Sequence, residues 1–310
     1  MIITVTPNIS LDKTLTVDGS FEIGKTHRVK EITYIPGGKG VNASRALLGL
    51  GYKAPVLGFI GGNTGKHILS IFDYEGIKYD VVEIKGESRT CYNIVDVINN
   101  TQTEVLEKGP EITEDDIKLL EAKILKYLSE NTIVCMGGSL PPGAPIDLYV
   151  RLVNLIKSKG GKAILDTSGK ALEAGIKSKP FAVKPNRAEV EAILGIKLDT
   201  VENIKKALDY FSNEGIELSV ISMGKDGVYA HNRGKYYKVT PPVLKPLNAV
   251  GSGDSVVAGI ALGLEQKLDM PEVLRLGAAM GTANVLTLNP GGVRKEDVED
   301  ILPKVEVTTI

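Results

Sequence analysis

Short β-branched runs, separated by segments of helical periodicity, recur through most of the 310-residue chain, and this alternation limits its folding more than any other feature. The runs IITVT, APVLGFIG, TIVCMGG, KAILD, FAVKP and LSVISMG read as strands. Most are apolar at consecutive positions, so each strand needs cover on both faces. Between them, residues 42–50, 64–75, 114–130, 145–159, 187–194 and 201–214 read as helices. The order predicts an α/β fold, a parallel sheet with helices on both sides and sites at the carboxyl ends of its strands. Residues 12–35 and 77–108 break the pattern. KYDVVEI, CYNIVDVI and TEVLE, with NNTQ as a connection, read as antiparallel strands of a small sheet projecting from the main one, a lid over the site. With no low-complexity linker and no internal repeat, residues 1–310 read as one domain carrying that lid.

Composition narrows the partners. Lys plus Arg number 37 and Asp plus Glu 38, a formal net charge of −1, which points to no nucleic-acid partner. Cys91 and Cys135 lie far apart with no second thiol beside either, as expected of a reduced cytoplasmic protein. The opening MIITVTP is an apolar strand rather than the charged start of a signal peptide. No apolar run approaches the ~20 residues of a membrane span. A soluble cytoplasmic protein with no membrane partner is expected.

Two glycine clusters carry chemistry. In LNAVGSGDSVVAGIALGLEQ, residues 247–266, the positions Val256, Val257, Ile260, Ala261 and Leu264 mark the buried face of a helix. Gly259 and Gly263 let that helix approach a neighbour, and it starts near Gly253 to Ser255. A glycine loop entering a helix leaves N–H groups unpaired at the positive end of the dipole, which makes an anion cradle suited to phosphate. Asp254 repels an anion there unless it holds a hydroxyl that attacks phosphorus; capping by Ser252 or Asp254 is the other reading. In PGGKGVNASRALLGLG, residues 36–51, Pro36 is expected to stop a strand, and three glycines let backbone approach a ligand. Asn42 and Ser44 then open a helix, and Asn42 offers both donor and acceptor to sugar hydroxyls; a plain tight turn is the alternative. In VKPNRAEVEAIL, Asn186 and Glu189 are spaced as a capping box, or organise metal-bound water and phosphate oxygens, or both.

Other chemistries fail on spacing. Lys39 is followed by Gly40 and Lys66 by His67, so neither closes a Walker-type loop, and no strand leads into G-x-G-x-x-G. His27, His67 and His231 have no metal-ligand spacing, and Ser139 in GGSLPPG lacks the second glycine of a nucleophile elbow.

PGGKGVNASRAL and LNAVGSGDSVVAGI resemble the two signatures of the ribokinase-like carbohydrate kinases, the PfkB group, and VKPNRAE resembles the N-x-x-E element between them. TPNISLDKT resembles the Asn-Pro-x-x-Asp start of the sugar-phosphate branch, with Pro7 and Asn8 in reversed order and Asp12 in place. RTCYNI, TEVLEKGPEI and GGSLPPG resemble the branch acting on fructose 1-phosphate or tagatose 6-phosphate. The resemblance implies a three-layer, doubly wound, mostly parallel sheet with a small β-sheet lid, and an ATP- and Mg²⁺-dependent kinase of a phosphorylated ketohexose. It places Asp12, Gly37, Gly38, Lys39, Asn42 and Ser139 around the sugar, with Arg89 and Lys108 supplying charge for its existing phosphate. Ala249, Gly251, Ser252 and Gly253 become the anion hole, and Asp254, ionised at neutral pH, the acceptor of the sugar's proton. Lys184, Asn186, Ser222, Gly224, Gly227 and Asn284 fall to the nucleotide, and Asn186 and Glu189 to Mg²⁺ through water. It also implies a homodimer clasped lid to lid through 12–35 and 77–108, with Val81, Ile84, Ile94 and Val97 as its apolar groups. The rivals are a ribokinase or nucleoside kinase, a catalytically silent sugar-binding regulator on the same fold, and a nucleotide-dependent oxidoreductase.

Overall fold

A computed structural model describes all 310 residues. In chain order it runs β1 (Ile2–Thr6), β2 (Ser10–Val17), β3 (Val29–Gly37), α1 (Lys39–Gly49), β4 (Val56–Ile60), α2 (Gly62–Glu75), β5 (Val82–Glu83), β6 (Arg89–Asp96), β7 (Thr101–Leu106), α3 (Glu114–Tyr127), β8 (Ile133–Gly137) and α4 (Leu148–Ser158). It continues with β9 (Lys162–Asp166), α5 (Gly169–Lys177), β10 (Ala182–Val183), α6 (Arg187–Leu194), α7 (Val201–Asn213), β11 (Leu218–Ser222), β12 (Val228–Asn232), β13 (Lys235–Thr240), α8 (Ser252–Glu265), α9 (Met270–Asn284), α10 (Lys295–Ile301) and β14 (Glu306–Thr309).

The larger sheet has ten strands in the order β14-β13-β12-β11-β10-β9-β8-β1-β4-β5, parallel from β11 through β5. From β1 the chain goes first to β4 on one side and later to β8 on the other. The sheet is therefore doubly wound, and its crevice opens beyond the carboxyl ends of β1 and β8. Successive strand residues face opposite layers. Ile2, Ile133 and Cys135 belong with residues of α1, α8 and α9 to one cluster of 32 buried hydrophobic residues, while Ile3, Val134 and Met136 belong with residues of α3, α4 and α7 to another of 32. Equal cover on both faces is why these strands carry no polar alternation. The glycines of α8 do bring it against a neighbour: a Cβ at Gly259 would stand 2.7 Å from the Gly277 Cα of α9. No helix is long and apolar enough to cross a membrane.

The second sheet, β3-β2-β6-β7, is the expected small sheet with two changes. Its hairpins β2–β3 and β6–β7 are antiparallel, but β2 and β6 run parallel. The KYDVVEI segment does not belong to it: β5 pairs in parallel with β4, and Val82 and Ile84 are buried in the main core. Only β2, β3, β6 and β7 stand off the main body. Pro36 does not stop β3 but lies inside it opposite Leu11, because an edge strand tolerates a residue with no N–H to donate. The helix after it starts at Lys39 behind Gly38 (φ 120°), so Asn42 and Ser44 sit within α1 rather than opening it.

Candidate active site

The crevice is floored by the turn leaving β1. Asn8 is buried, and its Nδ2 donates to the Lys108 carbonyl (3.0 Å) and to Ser139 Oγ (3.3 Å), drawing the segment after β7 and the loop after β8 together. Asn8 stands four residues before Asp12, so the departure from Asn-Pro-x-x-Asp is Ile9 in the proline position rather than an exchange of Pro7 with Asn8. The Asp12 carboxylate accepts from Ser10 Oγ (2.7 Å). Burial raises its pKa, and the Ser10 bond with the Arg89 and Arg45 charges offsets part of the rise. At Gly37 a Cβ would stand 2.1 Å from Asp12 Oδ2, so only glycine leaves that carboxylate room. Arg89 Nε donates to the Asn8 carbonyl (3.1 Å), and its two NH₂ groups bond to nothing in the protein. They are free to meet an anion.

Across the crevice, Asp254 lies in the first turn of α8 and is 8% exposed. Its Oδ2 accepts from Asn42 Nδ2 at 2.8 Å. Two ammonium groups stand close by, because Asp166 at the end of β9 holds Lys39 Nζ at 2.9 Å and Lys184 Nζ at 3.1 Å. Burial would raise the Asp166 carboxyl, but the charges of Lys184 and Lys39 outweigh it and hold it below its ordinary value. Burial likewise opposes the charge on Lys39, yet Asp166 and Asp254 push its pKa above the usual range. For Asp254 burial wins, and its pKa rises to about 6 against the opposing pull of Lys39. Desolvation thus carries it above the ordinary aspartate value of ~3.9, while leaving it mostly ionised at neutral pH.

The start of α8 is uncapped by any side chain. Gly251 (φ 82°) is its N-cap residue, so neither Ser252 nor Asp254 caps the helix. The N–H groups of Gly251, Gly253 and Asp254 find no partner in the protein. Lys184 lies against this turn, since a Cβ at Gly253 would stand 3.1 Å from its Nζ. Asn284 departs from its expected place at the nucleotide. It is fully buried, with Nδ2 donating to the Val250 carbonyl (2.9 Å) and Ser252 Oγ (3.1 Å), and Oδ1 accepting from Gly291 N (2.7 Å). It buttresses the turn from behind. Asn186 and Glu189 form a full capping box, Glu189 N to Asn186 Oδ1 (2.9 Å) and Asn186 N to Glu189 Oε2 (2.8 Å). A bridge between Asn186 and Ser222 sets the turn of Gly224 (φ 60°) and Gly227 (φ 87°) beside that cap.

The fold thus brings Lys39, Asn42, Lys184 and Asp254 to one place, with Asp12 and Arg89 on the lid side. Sequence reasoning missed Asp166 and Arg45. The only local signal for Asp166 is a carboxylate ending the buried run KAILD. Unpaired N–H groups, two ammonium groups and a carboxylate of raised pKa can bind a phosphate and take a proton beside it.

Similarity to known proteins agrees with this chemistry. The sequence pattern of the pfkB family carbohydrate kinases matches residues 8–295. The chain belongs to that family and is a phosphotransferase with an alcohol acceptor. It is 36% identical over 313 residues to a tagatose-6-phosphate kinase of Staphylococcus epidermidis, with 100% of both chains covered. It also matches Escherichia coli phosphofructokinase-2 in complex with fructose-6-phosphate (TM-score 0.91, 28% identity, 98% of each chain). The tetrameric inhibited form of that enzyme matches at TM-score 0.91 and 29% identity, again over 98% of each chain.

Proposed function

We propose that the protein transfers the γ-phosphoryl group of ATP to a hydroxyl of fructose 1-phosphate or tagatose 6-phosphate, giving the bisphosphate. The observation that carries this reading is Asp254, held by Asn42 Nδ2 at 2.8 Å directly beside the unpaired N–H groups that open α8. The sugar hydroxyl oxygen forms a bond to the γ-phosphorus, the bond from that phosphorus to the β,γ-bridging oxygen breaks with its electron pair leaving on ADP, and Asp254 takes the hydroxyl proton. The cradle of Ala249, Gly251, Ser252 and Gly253, with Lys39 and Lys184, neutralises charge on the transferring group. Asp12, Gly37, Gly38, Asn42 and Ser139 hold the sugar, and Arg89 with Lys108 holds its existing phosphate. Ser222, Gly224 and Gly227 line the nucleotide's base side, with Lys184 and Asn186 nearer its phosphates.

The residues fit Mg²⁺ as a nucleotide-bound ion. No three acidic, histidine or cysteine side chains converge into a cage, while Glu189 lies near enough to Lys39 to raise its pKa. Mg²⁺ favours phosphates and water over protein cages, which leaves Asn186 and Glu189 to reach it through water. When bound it offsets negative charge on the phosphates.

Initial rates with tagatose 6-phosphate, fructose 1-phosphate, fructose 6-phosphate and unphosphorylated sugars test the reading, and turnover is expected only with a phosphorylated ketohexose. Arg89→Ala is expected to raise KM for the sugar phosphate about 10- to 100-fold with KM for ATP nearly unchanged, from a charge-assisted contact of ~1.5–3 kcal/mol. If both constants rise together, Arg89 is structural.

The lid supports a homodimer through 12–35 and 77–108, the second part confined to β6, β7 and their turn. Val29, Ile32, Tyr34, Val97, Ile98 and Leu106 on it are 41–66% exposed. Of the apolar groups expected there, Val97 is exposed, Ile94 is half-buried, Val81 packs beside the main body and Ile84 is core. Sedimentation at micromolar protein is expected to give a dimer; an active monomer rules it out.

A further inference from the structure

Arg45 has no part in the reading above, yet its position is unusually constrained. It lies in α1 one turn after Asn42 and is 8% exposed. Its Nε donates to Glu75 Oε2 (2.9 Å), its Nη1 to the Pro290 carbonyl (2.9 Å) and Asn42 Oδ1 (3.2 Å), and its Nη2 to the Pro36 carbonyl (2.9 Å). Glu75 and the two carbonyls already supply charge and acceptors to a buried guanidinium. The bond to Asn42 does something more.

A carboxamide is nearly symmetric in shape, so its neighbours decide which end points where. With Nη1 donating to Oδ1, the Asn42 NH₂ is turned to Asp254 Oδ2. The opposite orientation would press NH₂ against guanidinium N–H and a carbonyl oxygen against a carboxylate, exchanging two attractions for two repulsions. The other partners of Arg45 are equally placed for the reaction. Pro36 lies at the root of lid strand β3. Pro290 precedes Gly291, whose N–H is held by the same Asn284 amide that buttresses Val250 and Ser252 of the cradle.

We propose that Arg45 is a positioning residue, which turns the Asn42 amide toward Asp254 and keeps that pair in register with the lid and the phosphate cradle. This rests on reading Asp254 as the acceptor of the proton. Asp254 is faced by Lys39, Asp166 and Lys184, and Arg45 by Glu75 and Asp12. The Asn42 bond pulls the Asp254 pKa down, so losing it moves that pKa up.

The test compares full-length Arg45→Gln, Arg45→Lys, Asn42→Ala and the double variant Arg45→Gln/Asn42→Ala, reading kcat, both KM values, the acid limb of kcat and the melting temperature. Arg45→Gln is expected to lower kcat about 10- to 100-fold, the size of an ångström-scale misplacement, with KM for ATP within about threefold. The acid limb moves to higher pH. In the Asn42→Ala background the same change costs less than about threefold, because the residue it acts through is already gone. Glu75→Gln removes the ion pair but not the donor to Asn42, and lowers the melting temperature without moving the acid limb. Should Arg45→Gln fail to fold, Arg45→Lys, which keeps the charge but not the planar fork, is expected to give the same loss and the same shift. A folded Arg45 variant with unchanged kcat and acid limb overturns the proposal, as do equal losses with and without Asn42. Asp254→Asn is the control that separates the two readings. Full turnover by that variant removes the proton-acceptor role and this proposal with it, whereas an inactive Asp254→Asn beside an unaffected Arg45→Gln removes this proposal alone.

Discussion

Asp254→Asn is expected to lower kcat about 10²–10⁴-fold, the usual loss with a general base, and at the same time to make the folded protein more stable at pH 7. Both effects come from the same burial. A protonated carboxyl cannot accept the sugar's proton, so kcat/KM of the parent enzyme falls as pH falls through about 6, the value to which burial pushes Asp254. The stability effect has the opposite sense. Because the folded pKa lies above the unfolded value of ~3.9, the contribution of Asp254 to stability is full below that value and is lost as pH rises through about 6. At pH 7 the ionised side chain costs on the order of 2–3 kcal/mol, which a neutral amide of the same shape does not incur. A melting temperature higher by a few degrees at pH 7, with the gap closing near pH 4, is the expected signature. Equal turnover in the variant ends the proton-acceptor role, and a lower melting temperature ends the account of its burial.

Asp166→Ala is expected to be the most destabilising substitution in the site, by ~3–5 kcal/mol, the usual loss when one partner of a buried pair is removed. Asp166 is 4% exposed and is the counter-charge for Lys184, whose side chain is 5% exposed, and for the more open Lys39 at 35%. Without it two ammonium groups face each other across a cavity, with Asp254 as the nearest carboxylate. Asp166→Asn keeps the shape and one acceptor and is expected to lose less. Urea unfolding at pH 7 measures both. A midpoint for Asp166→Ala within about 1 kcal/mol of the parent would mean that solvent reaches Lys184 far better than its burial indicates.

The fold was legible because strands covered on both faces write consecutive apolar residues into the sequence, as in IITVT and TIVCMGG, and a parallel sheet has few alternatives. Segments where burial and periodicity disagree were misread. In KYDVVEI, Val82 and Ile84 are covered by the main body, so their alternation marked a sheet edge rather than a lid strand. The hairpin of β12 and β13 turns at Arg233 and Gly234 (φ 48° and 80°), a left-handed pair that the glycine alone did not announce. The glycine clusters could be read because backbone approach to an anion leaves its mark locally. Asp166 leaves only the carboxylate that ends KAILD and Arg45 leaves no mark, since the partners that define them, Lys39 and Lys184 or Pro290 and Pro36, are close only after folding. Asn284 shows the same limit from the other side. The family resemblance assigns it to the nucleotide, and only packing reveals an amide wholly engaged inside the protein.

The bond between Asn42 and Asp254 joins residues 212 positions apart. Such a contact has a consequence for synthesis. Chains grow from the amino terminus, and domains generally fold as units while they emerge. The lid, Lys39, Asp166 and Lys184 therefore all leave the ribosome before α8, the helix that brings Asp254, and no amino-terminal fragment ending short of α8 contains that carboxylate. A nascent chain holds the two lysines of the site before it holds the carboxylate proposed to take the alcohol's proton. Competence arrives with the closing of the last long-range contacts, so an interrupted chain is left without the means to move phosphate.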